Sequence, residues 1–166
     1  MKSLVEICDK LGFKDTQHYI QSGNIVFNSS SEPDPDQLCK AIDSLHGFSP
    51  KVMLVPASKF AAIADENPFA NDIDAENHKF LQQYMFTQIP SQVDFAKIEG
   101  KAVAGEQWKI RENCFDLYSP AGVHNSKLGR DIEKILGVPT TARNWKTISK
   151  LWEMCRHETK GGDGVA

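Results

Sequence analysis

A chain of 166 residues with 40% hydrophobic and 25% charged side chains has the makeup of a folded protein with one sizeable core or two small ones, not of a disordered chain. Its formal net charge of -3 and pI of about 5.9 supply no general attraction to nucleic acid or to an anionic membrane, so such binding would need a local basic patch. No apolar run approaches the roughly 20 residues of a membrane-spanning helix, and the first residues lack a charged segment leading into an apolar one.

In chain order, Ser3 and Glu6 have capping-box spacing, and Leu4, Ile7, Cys8 and Leu11 repeat at helical intervals up to Gly12. Thr16 to Phe27 is rich in β-branched and aromatic residues and is interrupted by Ser22-Gly23-Asn24, which predicts either a hairpin turn or a bulge in a longer strand. A loop from Asn28 to Pro35 leads to a helix with Leu38, Ile42 and Leu45 inward and Gly47 as its stop. Val52 to Val55 reads as a short buried strand. The next helix opens at Pro56 and Ser58, runs through Phe60, Ile63 and Ala64, and ends before Asn67-Pro68, because a residue preceding proline disfavours helical geometry.

Phe80 to Thr87 is expected to be a strand, and Ser91 to start a short helix through Val93, Phe95 and Ile98. Gln107 to Arg111 and Cys114 to Ser119 form a hairpin around Glu112-Asn113. A loop holding Pro120, Gly122 and Asn125 precedes a helix with Leu128, Ile132, Ile135 and Leu136 inward, closed by Gly137 and Pro139. A strand near Thr140 to Arg143 and a last helix from about Trp145 to His157 complete the chain, followed by a glycine-rich tail expected to be disordered.

The second half therefore reads β-α-β-β-α-β-α, and the first half reads the same with its opening strand missing. That order predicts an α+β fold of two ferredoxin-like halves packed together, residues 1–75 (incomplete) and 76–158, with a tail at 159–166. Cys8, Cys39, Cys114 and Cys155 are far apart and form no ligand spacing, so reduced, partly buried thiols in a reducing, cytoplasmic setting are expected, with neither disulfide nor metal site.

Four stretches occur together in a recognisable order: Tyr19-Ile20-Gln21-Ser22-Gly23-Asn24-Ile25-Val26-Phe27, Asn67-Pro68-Phe69, Ser126-Lys127-Leu128 and Thr141-Ala142-Arg143-Asn144-Trp145. In these the chain resembles the family called domain of unknown function 1697, widespread in bacteria, over Met1 to about Cys155. The resemblance implies an α/β fold of paired ferredoxin-like halves and no established activity; separately, no cofactor is expected. Family members usually begin with a further strand and glycine-rich turn, approximately Leu-Arg-Gly-Ile-Asn-Val-Gly-Gly. Met1 stands close to where the family's first helix begins, so the resemblance implies that this strand is absent here and that the N-terminal sheet keeps an open place for one.

Two corners carry candidate chemistry. Ser126-Lys127 follows a loop and opens a helix, and Arg143-Asn144 stands where a strand meets the last helix. Free N–H groups and the positive end of a helix dipole suit a phosphate or carboxylate there. The plain alternative is that Ser126 and Asn144 merely cap their helices while Lys127 is solvated and Arg143 pairs with an acid. Gln21, Ser22 and Asn24, with Tyr19, are secondary candidates, though glycine and asparagine at that point are chiefly what a tight turn requires. Trp145 and Trp152 share a helix face and suit core packing better than base stacking. The histidines at 18, 46, 78, 124 and 157 are scattered, no Gly-x-Ser-x-Gly or phosphate-loop pattern occurs, and His124 near Ser126 is not by itself a base and nucleophile. The expectation is a protein that binds a small anionic molecule. A single-stranded nucleic-acid module and an enzyme with a site assembled between the halves are the alternatives, and the sequence decides neither oligomeric state nor whether any reaction is catalysed.

Overall fold

The computed structural model describes residues 2–20 and 23–158. Gln21, Ser22 and the 159–166 tail lie outside the described residues, as does the proposed capping side chain of Ser3. The chain divides into two compact units, Met1–Leu54 with Glu153–Ala166, and Val55–Trp152.

In the first unit, helix α1 (Lys2–Lys10) is followed by an antiparallel hairpin of β1 (Lys14–Tyr19) and β2 (Asn24–Asn28), then by α2 (Pro35–His46). The Gly23-Asn24 interruption is thus a hairpin turn. Asn24 is buried and its amide donates to the Tyr19 carbonyl at 3.3 Å, tying the two sides of the turn together. Asp34 caps α2 by accepting from the Asp36 N–H, Pro35 supplies the first helical residue, and Gly47 closes the helix at φ 71°, a conformation that costs glycine little. Ile7, Cys8, Leu38 and Ile42 form the buried centre, with Leu4, Leu11, Phe13, Ile25, Ala41 and Val52 packed around it. Two expectations are corrected here. Leu45 is exposed, and residues 52–55 form no strand: Val52 packs on the helices as irregular chain between Pro50 and Pro56.

The second unit begins with α3 (Ala57–Asp65), and a 3-10 turn at Ala75–Phe80 leads into β3 (Leu81–Met85). Then come α4 (Phe95–Lys101), β4 (Gln107–Ile110), β5 (Cys114–Tyr118), α5 (Lys127–Leu136), β6 (Thr141–Asn144) and α6 (Trp145–Glu158). The helix expected from Ser91 starts instead at Phe95, because Asp94 is the cap: its carboxylate accepts from the Lys97 N–H at 3.0 Å. Phe95 consequently points outward and is exposed.

The strands lie in the order β4-β5-β3-β6, every neighbour antiparallel. Strands joined through a helix leave one position between them, and that position is filled by an antiparallel strand, the arrangement of a split β-α-β unit. Because side chains alternate along each strand, the register sorts them into two faces. On one face Tyr84, Phe115, Leu117, Trp108 and Ala142 pack with Ile98 of α4 and with Leu128, Ile132, Ile135 and Leu136 of α5. Trp108 stacks on Phe115 with ring centroids 5.9 Å apart. The opposite face carries Gln83, Asp116 and Arg143 among its residues, and α3 approaches it. The molecule is an α+β protein.

Candidate functional site

A charged residue in the middle of an apolar strand must find partners or be expelled. Asp116, between Phe115 and Leu117, is 1% exposed, and it finds them. Arg111, at the end of the β4–β5 hairpin, donates from Nε to Asp116 Oδ2 at 2.7 Å and from Nη2 to Oδ1 at 3.2 Å. The same guanidinium donates to the carbonyls of Ala62 (3.0 Å) and Ile63 (2.8 Å) in the last turn of α3, where the Ala62 carbonyl also accepts from the Glu66 N–H at 3.1 Å. Burial works against the charge of Arg111, but the hydrogen bond and attraction of Asp116 more than offset it, so its pKa is raised. Fully buried Gln83 adds a second strap, its Nε2 donating to Asp116 Oδ1 at 2.7 Å and to the Ile63 carbonyl at 2.9 Å. Trp152 of α6 donates to Asp65 at the end of α3 at 2.9 Å. The arrangement fixes α3 against the sheet. Sequence reading passed over it, although an aspartate and a glutamine at inward strand positions were the available signal.

The corner residues come next. Ser126 is fully buried, and its Oγ accepts from the Gly129 N–H at 2.9 Å, capping α5. Lys127 is exposed at the start of that helix. Asn144 Oδ1 accepts from the Thr147 N–H at 2.9 Å, capping α6. Arg143 is half-buried and donates to Thr141 Oγ1 at 3.0 Å and to the Ala142 carbonyl at 2.8 Å, and burial draws its pKa down. His124 is exposed and its carbonyl accepts from Arg130 at 3.1 Å.

Pairing of Leu81 with Tyr118 and of Gln82 with Asn144 brings the ends of β5 and β6 out at the same end of the sheet, where β3 begins. There the four candidates divide. Asn144 pairs with Gln82 on the face covered by α5, the helix that Ser126 and Lys127 open, whereas Arg143 pairs with Gln83 on the other face. Neighbours in a strand point to opposite sides, so Arg143 does not join the other three in one corner. Its immediate row, read across the sheet, is Lys109, Asp116, Gln83 and Arg143. An open depression of about 440 Å³, lined by Arg130, Glu133, Lys134, Gly137, Val138 and Pro139, lies toward the other end of α5. Among the described residues no cluster of His, Cys, Asp or Glu has the makings of a metal site, and no helix is long and apolar enough to cross a membrane.

Fold and site together define an α+β protein with a polar row crossing one face of its four-stranded sheet. The family described as "Protein of unknown function (DUF1697)" matches residues 1–115, and the chain belongs to it. Among solved structures, the chain is similar to the conserved bacterial protein SP0830 from Streptococcus pneumoniae, at 22% identity and a TM-score of 0.54, over 94% of this chain and 88% of that one. At that identity the likeness speaks for the fold alone. No curated protein matches the chain.

Proposed function

We propose that the protein binds a small anionic molecule, phosphorylated or carboxylated, through Arg143. The observation that carries this reading is a guanidinium half withdrawn from water, with its pKa drawn down by that burial, at the end of the sheet where two strands hand over to helices. A partly desolvated cation gains from a charge-assisted, two-pronged contact with phosphate or carboxylate more than a solvated one does. Ser126 and Asn144 serve this reading as caps that hold their helices in place, and Lys127 contributes only a distant positive charge from the other face. The same reading takes the split β-α-β order of the second unit as ferredoxin-like, and a cytoplasmic location as the setting.

The test is a thermal-shift titration of the full chain with inorganic phosphate, set beside a single-stranded oligonucleotide at matched ionic strength. A rise in Tm with phosphate and none with the oligonucleotide supports the reading. A shift only with the oligonucleotide, weakening steeply with salt, transfers it to nucleic acid.

A further inference from the structure

Gln83 has an unfinished hydrogen-bond account. It is fully buried, and its Nε2 is bound to two acceptors, Asp116 Oδ1 at 2.7 Å and the Ile63 carbonyl at 2.9 Å. Flipping the amide would set an oxygen against both of them, so its orientation is fixed. The remaining atom, Oε1, is buried and has no hydrogen-bond partner among the described residues. Its cross-strand neighbours follow from the register. Asp116 and Arg143 pair with Gln83 on either side, one on β5 and one on β6. Nε2 is spent on β5 and on α3, and Arg143 on β6 shares the face of Gln83. Directly opposed residues have Cβ atoms about 4.5–5.5 Å apart, so the orphaned acceptor and the half-buried guanidinium border the same strip of sheet.

We propose that this strip recognises a small carboxylate or phosphate ester that carries a hydrogen-bond donor beside its anionic group, Arg143 taking the anion and Gln83 Oε1 accepting from the neighbouring hydroxyl or N–H. The proposal rests on the reading of Arg143 as an anion site and adds to it the ligand's second feature. An acceptor left unpaired in a buried place discriminates by what it lacks: a ligand that brings the donor relieves it, and one that lacks the donor leaves it unpaired.

Glycolate and acetate separate these cases, since they share a carboxylate and differ by one hydroxyl. NMR titration of the full chain with each, and with inorganic phosphate as the anion reference, gives three affinities on one protein without any variant having to fold. Glycolate is expected to bind about fivefold more tightly than acetate, as one added hydrogen bond supplies, with the largest shifts at Gln83 and Arg143. Equal binding of glycolate and acetate overturns the donor requirement while leaving the anion reading in place. Binding of none of the three overturns both. Gln83→Leu is the companion variant: where it folds, the glycolate preference is expected to vanish while acetate affinity holds, and a preference that survives it removes Gln83 from the site.

Discussion

Arg111 and Asp116 meet in a two-pronged ion pair, Nε to Oδ2 at 2.7 Å and Nη2 to Oδ1 at 3.2 Å, and the same guanidinium holds the last carbonyls of α3. Removing one member leaves the other charged and buried. Arg111→Met is therefore expected to destabilise the protein by about 3–5 kcal/mol, measured by urea denaturation. Arg111→Lys keeps the charge but loses the planar fork and should fall between. A loss below about 1 kcal/mol for Arg111→Met, the level of an exposed pair, would mean that α3 is held by other means.

Gly129 tests packing rather than charge. In an exposed helix, replacing glycine by alanine gains roughly 1 kcal/mol. A Cβ here would stand 2.6 Å from the Tyr84 hydroxyl and 3.2 Å from side-chain atoms of Leu117 and Val123. Gly129→Ala should reverse the usual sign and cost about 1–3 kcal/mol. Tyr84→Phe in the same chain removes the closest atom and should restore part of the loss, which a double-mutant cycle by thermal denaturation would show.

The thiols should divide by burial. Cys8 and Cys114 are fully buried, which raises their pKa values from 9.0 to about 11 and about 12, with Asp9 and Asp116 adding to the effect. Cys39 and Cys155 are half-buried. Alkylation at pH 8 followed by mass spectrometry should modify Cys39 and Cys155 first. The raised values also fix a sign. Folding keeps these protons on, so the associated stability is complete below pH 9 and is lost as pH climbs through the folded-state values. Stability that holds flat from pH 9 to 12 would contradict it.

Acid acts in the opposite direction and more weakly. The hydrogen bond and charge of Lys101 hold the Asp131 carboxyl below its ordinary 3.8, and Lys97 does the same for Asp94. Their contribution is present above pH 3.8 and is lost as pH falls through the depressed values. Both are surface pairs, so added salt should erase most of the effect. Asp131→Asn should remove its share of the acid dependence in a stability titration from pH 5 to 2.

What was legible in the sequence was local. Leu38 and Ile42 before Gly47, and Leu128, Ile132, Ile135 and Leu136 before Gly137, mark two helices and their stops within a dozen residues each. The Glu112-Asn113 hairpin and the Gly23-Asn24 turn are equally short-range. Val52 to Val55 misled because apolar residues favour a strand but do not create a partner for one. The network of Gln83, Arg111 and Asp116 was missed for a related reason: Gln83 and Asp116 stand 33 positions apart, and Arg111 reaches the Ile63 carbonyl 48 positions back. Ser126, Asn144 and Arg143 were located correctly on their elements, and Asn144 and Ser126 proved to be caps. The face each side chain takes depended on the register of β6 against β3, which no short window of sequence contains.

The most direct measurement is isothermal titration with inorganic phosphate of the unaltered chain, Arg143→Met and Lys127→Met. If the anion sits at Arg143 on the α3 side of the sheet, Arg143→Met loses binding by tenfold or more, about 1.4 kcal/mol or above, while Lys127→Met stays within about twofold. Equal loss in both variants, or undiminished binding in Arg143→Met, would contradict the account.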